Sequence, residues 1–294
     1  MLVSGALSLT PSVAGGGWYG GRGVWLCGST GSDVNTIDYI TIASTGNATD
    51  FGDGTLSRRD QATCSDGSRG VCGAGQINGT PTNDMDYITI ATTGNATFFG
   101  DVTQARTISH GACSNGTRGI FGSGAGWFNT MDYITISTTG NATDFGDNTV
   151  SSIMGGCNDA TRGIWMGEQN SGGSGDSITY ITMATTGNAT DFGNRTVSQQ
   201  STAPTDNGVR AVCAGNTTMD YITIQTTGNA TDFGDLTDNR QSLGATSDGT
   251  IGVWAGGSGN SNVMDYVTIS TTGNATDFGD LTQGRFQASG TSGD

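Results

Sequence analysis

Carboxylates are the reactive groups that this chain repeats. Of its 26 acidic residues, 15 fall into three slots. One holds Asp38, Asp86, Asp132, Asp220 and Asp265; the next Asp50, Asp144, Asp191, Asp232 and Asp277; the third Asp53, Asp101, Asp147, Asp235 and Asp280. Two chemistries use such groups: carboxylate and carbonyl oxygens together hold a hard cation such as Ca²⁺, and paired carboxylates cleave glycosidic bonds. A single active site, however, breaks a repeated pattern somewhere, and these slots recur in nearly every copy. The ordinary use of Asp at such places is at solvated strand ends and turn caps, and the slots read that way. No metal or cofactor is expected.

Other catalytic arrangements have less to draw on. Acid–base and nucleophilic chemistry leans on histidine, and the only one is His110, in TISHGACS, with no evident partner. With one histidine and no C-x-x-C spacing, a zinc site is not expected. Three of the six cysteines, Cys64, Cys113 and Cys157, share one slot. Cys72 and Cys213 share another, held elsewhere by Trp25, Phe121, Trp165 and Trp254. Exchange with bulky apolar residues marks packed, free thiols rather than a disulfide framework, and Cys64 with Cys72 is the one pair worth testing for a bridge. The chain is expected to be non-enzymatic.

These residues are carried by a repeat. The stretch DYITIATTGNATFFGDVT, residues 86–103, recurs with small changes six times, its Gly-Asn pair falling at Asn47, Asn95, Asn141, Asn188, Asn229 and Asn274. A period of this size marks a solenoid or a propeller. The alternating, Tyr-, Ile- and Thr-rich start of each copy predicts a strand, Gly94-Asn95 predicts a two-residue hairpin turn, and the ATFFGDVT run predicts the return strand, with Ile90 facing Phe99. Upstream, RGV-type segments open another strand at Arg22, Arg69, Arg118, Arg162 and Arg210, with Ile251 the exception. Turns such as Asp66-Gly67 and Asn115-Gly116 precede them. Four strands per unit fit a propeller blade.

The run R-x5-A/C-S, then R-G-V-x-x-G-G, then D-Y-I-T-I with an aromatic in the fourth strand resembles a kelch repeat. In that family an Arg opens the first strand, a Gly pair ends the second, and the third carries a Tyr. Here the Gly pair is intact at Gly256-Gly257, Phe stands in for Trp, and the first-strand Arg is assigned to Arg59, Arg106, Arg240 and Arg285. The resemblance implies an all-β, six-bladed β-propeller over residues 22–294, with residues 1–21 as an N-terminal arm or attachment segment. The C-terminal FQASGTSGD is expected to complete the first blade and close the ring. Residues 22–294 also resemble kelch-like propellers encoded by bacteriophages among virion and tail-fibre-associated proteins. That implies a virion location, with a secreted or cell-surface carbohydrate-binding protein as the alternative. The copper oxidase built on the kelch propeller needs histidine ligands that are missing here.

A formal net charge of −15 disfavours phosphate backbones and anionic bilayers, so neither nucleic acid nor membrane is an expected partner. The first 21 residues lack a basic start and a continuous apolar core, and read as a poor signal peptide. Recognition is expected where length varies. The Tyr slot lies 8 residues before the turn Asn in all six units, whereas the distance from the Arg slot to the Tyr slot runs from 11 to 18. Strand alternation puts that variable connection on the face of the inter-blade links, and variable loops on a rigid scaffold are the usual seat of specificity. Candidate contacts there are Trp127 and Phe128, Gln76 and Asn78, and Glu168, Gln169 and Asn170. Trp18 and Tyr19 either tuck against the first blade or dock onto a partner. Aromatic and amide side chains together suit a glycan or another virion protein, with further copies of the chain in a larger assembly. The six N-A-T triplets match a glycosylation acceptor but are explained by turn chemistry. A polysaccharide-cleaving enzyme is the least favoured reading.

Overall fold

The computed structural model describes residues 18–108, 111–124, 128–170 and 173–294. All regular elements among them are strands, arranged as six antiparallel sheets in a ring with one small extra hairpin. The second blade shows the plan: Ala62–Ser65 innermost, then Arg69–Gly73, Asp84–Thr89, and Thr97–Asp101 outermost. The six innermost strands neighbour one another in turn around the axis. In the fifth blade the run Arg210–Thr223 supplies both middle strands. The Ile224 amide bonds the Val209 carbonyl and Asn216 takes a φ of 53°, so this run doubles back on itself at the shortest of the six rim connections.

The ring closes as expected. Ser289–Gly293 pairs antiparallel with Arg22–Ser29, Leu26 opposing Ser289 and Arg22 opposing Gly293. The last chain segment is thus the innermost strand of the first blade, and its edge is covered.

Each junction between blades buries an apolar cluster drawn from both. Trp25, Ile40 and Ile42 meet Val253, Met264 and Phe278 at the closing seam, and Phe99 and Met85 meet Phe121 and Ile134 at the junction of the second and third blades. The slot shared by Trp25, Cys72, Phe121, Trp165, Cys213 and Trp254 is fully buried throughout. In every blade the Tyr and the outer-strand Phe meet edge to face, with ring centroids 5.8 to 6.2 Å apart. An Arg stacks on that Tyr in the first five blades, as Arg69 does on Tyr87 at 4.2 Å, and its Nη1 donates to the next blade, here to the Ile136 carbonyl at 3.0 Å. This slot joins cation–π stacking to a bridge between sheets.

Three expectations are corrected. First, the Gly-Asn pair is not the hairpin turn: the Thr92 amide bonds the Thr89 carbonyl, so the chain reverses earlier, in a four-residue turn. Gly94 and Ala96 then donate to Phe51 and Asp53 on the outer strand of the preceding blade, while Asn95 Oδ1 accepts from the Asp53 amide at 3.0 Å. The same three residues repeat the stitch at each junction, ending with Gly46, Asn47 and Ala48 on the sixth blade. Pairing with another blade satisfies an outer edge that a local hairpin would leave open. Second, Ile90 does not oppose Phe99: Met85 pairs with Gly100 and Asp86 with Phe98, and the bulge between them turns Phe99 toward Tyr87.

Third, the leading Asp slot is neither solvated nor a turn cap. Asp38, Asp86, Asp132, Asp220 and Asp265 are buried, each ion-paired to an Arg, namely Arg285, Arg58, Arg106, Arg195 and Arg240. A Thr hydroxyl from the preceding blade also donates to each carboxylate, as Thr103 does to Asp132 at 2.5 Å. The arginine of the second blade is therefore Arg58; its neighbour Arg59, half-exposed, pairs instead with Asp33. Of the other two slots, Asp50, Asp53, Asp144 and Asp147 are exposed on the outer strands as expected, while Asp101 and Asp280 are half-buried.

Candidate functional site

Antiparallel order places the connections between second and third strands, and the links between blades, on one face; the Asp-Gly-type turns and the Thr-Thr-Gly-Asn loops occupy the other. On the irregular face the second-blade loop is itself ordered. Gln76–Ile77 pairs with Thr80–Pro81, Gln76 Nε2 donates to Asp60 at 2.5 Å, and the Asn78 amide donates to Asp33 Oδ2 at 2.6 Å with Asn78 at φ 50°. Gln76 is half-buried and Asn78 exposed at the tip. Phe128 is half-buried beside the third strand of its blade, whereas Trp127 lies outside the described residues.

In the fourth blade, Glu168, Gln169 and Asn170 belong to the strand Arg162–Asn170, which outreaches its counterparts and pairs with Gly173, Ser174 and Gly175. Glu168 is buried, its side chain packed over Gly175. The candidates therefore do not converge: Gln76 and Asn78, Phe128, and the residue 168–170 run sit on three successive blades.

A second feature lies on the axis. The innermost strands line a small cavity of about 100 Å³, walled by Thr63, Cys64, Cys113, Thr205, Thr246 and Thr291 among others. Its mouth on the uniform face is closed by Trp18 and Tyr19. Trp18 sits above Gly116, whose missing side chain leaves the room, and is 46% exposed; Tyr19 sits above Gly249 and donates its hydroxyl to Asp206. The pair therefore lies over the axis, against turns of other blades, rather than tucked against the first blade alone. Residues 1–17 lie outside the described residues.

Sequence reasoning passed over Asp206. In the slot before each Asp-Gly-type turn, four blades carry Ser65, Ser114, Ser247 and Ser292, and the fourth and fifth carry Asn158 and Asp206. That departure was the available signal. Asp206 accepts from the Tyr19 hydroxyl and from the amides of Asn158 and Gly208, both at 3.0 Å. Burial pushes its carboxyl up to about 6 against the pull of those three donors, and burial together with the Asp206 charge raises the Tyr19 phenol.

The six cysteines are free and buried. Cys64 opposes Val71 and Cys72 opposes Thr63, so that pair does not face across the hairpin. Burial raises these thiols, Cys213 to about 12, and leaves them protonated at neutral pH. His110 lies outside the described residues. No cluster of three or more metal-ligating side chains forms among the described residues, and no described helix could cross a membrane.

On the uniform face the repeat creates matching shallow grooves. That of the third blade, about 360 Å³, is lined by Tyr133, Thr135, Thr138, Thr139, Asn141 and Thr143; grooves of about 280 and 230 Å³ stand at the same positions of the fifth and fourth blades.

The fold defines the class: a six-bladed β-propeller built from one repeated unit. No family model and no curated protein matches the chain.

Proposed function

We propose that this propeller is a non-enzymatic structural and binding module, a virion or tail-fibre component that contacts a host-surface glycan or another virion protein through its irregular face. One observation carries the reading: six nearly identical, cross-stitched blades hold connections that differ in length and composition on one face only. A ring of this kind is a stiff platform, and its loops vary without disturbing the interior. The buried carboxylates are committed to Arg and Thr partners, which leaves them unsuited to acid–base work. The kelch-like repeat and the likeness to phage-encoded propellers supply the virion part of the proposal.

Purified particles probed with an antiserum to the protein, together with binding of the free propeller to host cells, test this reading. Labelled particles, and cell binding that falls at least about tenfold in a Gln76→Ala, Asn78→Gly, Phe128→Ala variant with an unchanged melting temperature, are expected. Unlabelled particles would remove the virion assignment, and undiminished cell binding by the variant would remove this face.

A further inference from the structure

The grooves of the uniform face carry a feature that packing does not explain. The residue types that line the third-blade groove recur in the sequence of every blade: Tyr39, Thr41, Ser44, Thr45, Asn47 and Thr49 in the first correspond to Tyr133, Thr135, Thr138, Thr139, Asn141 and Thr143 in the third, and Ser44 is the one departure among the six copies. The exposed residue between them does vary: Ala43, Ala91, Ser137, Ala184, Gln225 and Ser270. The copies have therefore drifted where a solvent-facing side chain lines nothing, and have stayed alike where it lines a groove.

Buried roles do not account for that likeness. Thr135, Thr138, Thr139 and Thr143 are exposed, and their hydroxyls bond to nothing among the described residues. The oxygen of Asn141 is held by the Asp101 amide at 3.1 Å, which leaves its NH₂ as the free end. Tyr133 is held by Arg118 at 4.3 Å and by the Phe145 edge, with its hydroxyl unpartnered among the described residues. Each groove thus presents hydroxyls that both donate and accept, a donor amide, an aromatic edge and no charged lining residue.

We propose that these grooves are six equivalent subsites for a neutral saccharide. Such ligands offer dense hydroxyls of mixed donor and acceptor character and no charge. The chain's net charge of −15 turns away anionic polymers. Six closely similar sites on one rigid face match a polymer of repeating sugars, so weak single contacts sum to firm retention. This proposal does not depend on the irregular face.

Affinity electrophoresis in gels cast with mannan, galactan, dextran or soluble starch, with dextran sulfate as the anionic control, tests it. Retardation is expected in at least one neutral gel and not in dextran sulfate. Thr139→Val should weaken it a few-fold, and valine at all six equivalents (Thr45, Thr93, Thr139, Thr186, Thr227 and Thr272) should weaken it about a hundredfold or more. The six-fold Thr→Ser set should keep it. If the valine set fails to fold, valine at Thr49, Thr97, Thr143, Thr190, Thr231 and Thr276 is read in the same way. No retardation in any neutral gel, or wild-type retardation of a folded six-fold valine variant, overturns the proposal. Loss confined to the Gln76, Asn78 and Phe128 variant assigns saccharide binding to the other face and likewise overturns it.

Discussion

Arg285, in the link after the sixth blade, lies 2.8 Å from Asp38 in the first, and neither side chain reaches solvent. This pair fastens the two ends of the ring, and Thr282 donates a further hydrogen bond to Asp38 at 2.5 Å. The fourth blade shows what replaces such a pair: Thr179 stands in the Asp slot and Ser152 in the Arg slot, both buried. Charge is lost from both partners together, because either one alone would be stranded in a low-dielectric interior. Arg285→Ser is expected to destabilise the protein by about 3–5 kcal/mol. Arg285→Ser with Asp38→Thr should lose clearly less, as read from urea unfolding midpoints. A double variant as unstable as the sum of the two singles would show that the exchange does not transfer between junctions.

Gly146 has φ 139°, and a Cβ there would fall 2.5 Å from the Gly187 carbonyl oxygen of the next blade. Both strain and collision oppose any side chain. Gly146→Ala should lower stability by about 2 kcal/mol or more, whereas Ser137→Ala, exposed on the same blade, should leave the melting temperature unchanged. Equal melting temperatures for the two would mean that the blades part easily.

Asp206 gives the mouth of the axial cavity a pH dependence. Burial pushes its carboxyl up to about 6, above the ordinary carboxylate range, so the folded state holds the proton more tightly. Its contribution is fully present below about pH 4 and is lost as pH rises through 6; two units correspond to about 3 kcal/mol at most. Relative to Asp206→Asn, the wild type should gain stability as pH is lowered from 7 to 4. A constant difference between the two unfolding curves across that range would contradict it. Tyr19→Phe removes a donor to the carboxylate and should raise the Asp206 pKa further, followed by NMR of the side-chain carboxyl.

Buried, raised thiols react slowly. At pH 8 a thiol-exchange reagent should find essentially no cysteine in the native protein and all six after unfolding in guanidinium. Rapid labelling of Cys64 or Cys113 in the folded state would mean that the axial cavity opens at the Trp18–Tyr19 end.

Much of the architecture is legible in the sequence. The 41- to 48-residue spacing of the Gly-Asn pairs set the blade count, Ile-Tyr-Thr alternation marked the strands, and exchange of Cys72 and Cys213 with Trp and Phe marked a buried slot. The closing strand at Ser289–Gly293 followed from a unit left one strand short. Local sequence signals mislead where a residue serves another blade. Asn95 looked like a local turn residue because turn chemistry is the common use of Gly-Asn, yet its partner Asp53 lies 42 positions away. Arg58 and Arg59 are adjacent and indistinguishable by type; only the position of Asp86 selects the buried one. No local signal shows that the strand carrying Glu168 continues to Asn170.

The chain alone determined a repeat of antiparallel strands, its copy number and the split between a uniform and an irregular side, since periodicity and strand length are local properties. Tertiary structure alone decided which carboxylates are buried, which arginines neutralise them, and that Tyr19 reaches Asp206 across the axis. Those outcomes depend on which atoms remain unpaired once the blades meet, and a buried charge or an open strand edge is satisfied by whichever group lies nearest in space, whatever its place in the sequence.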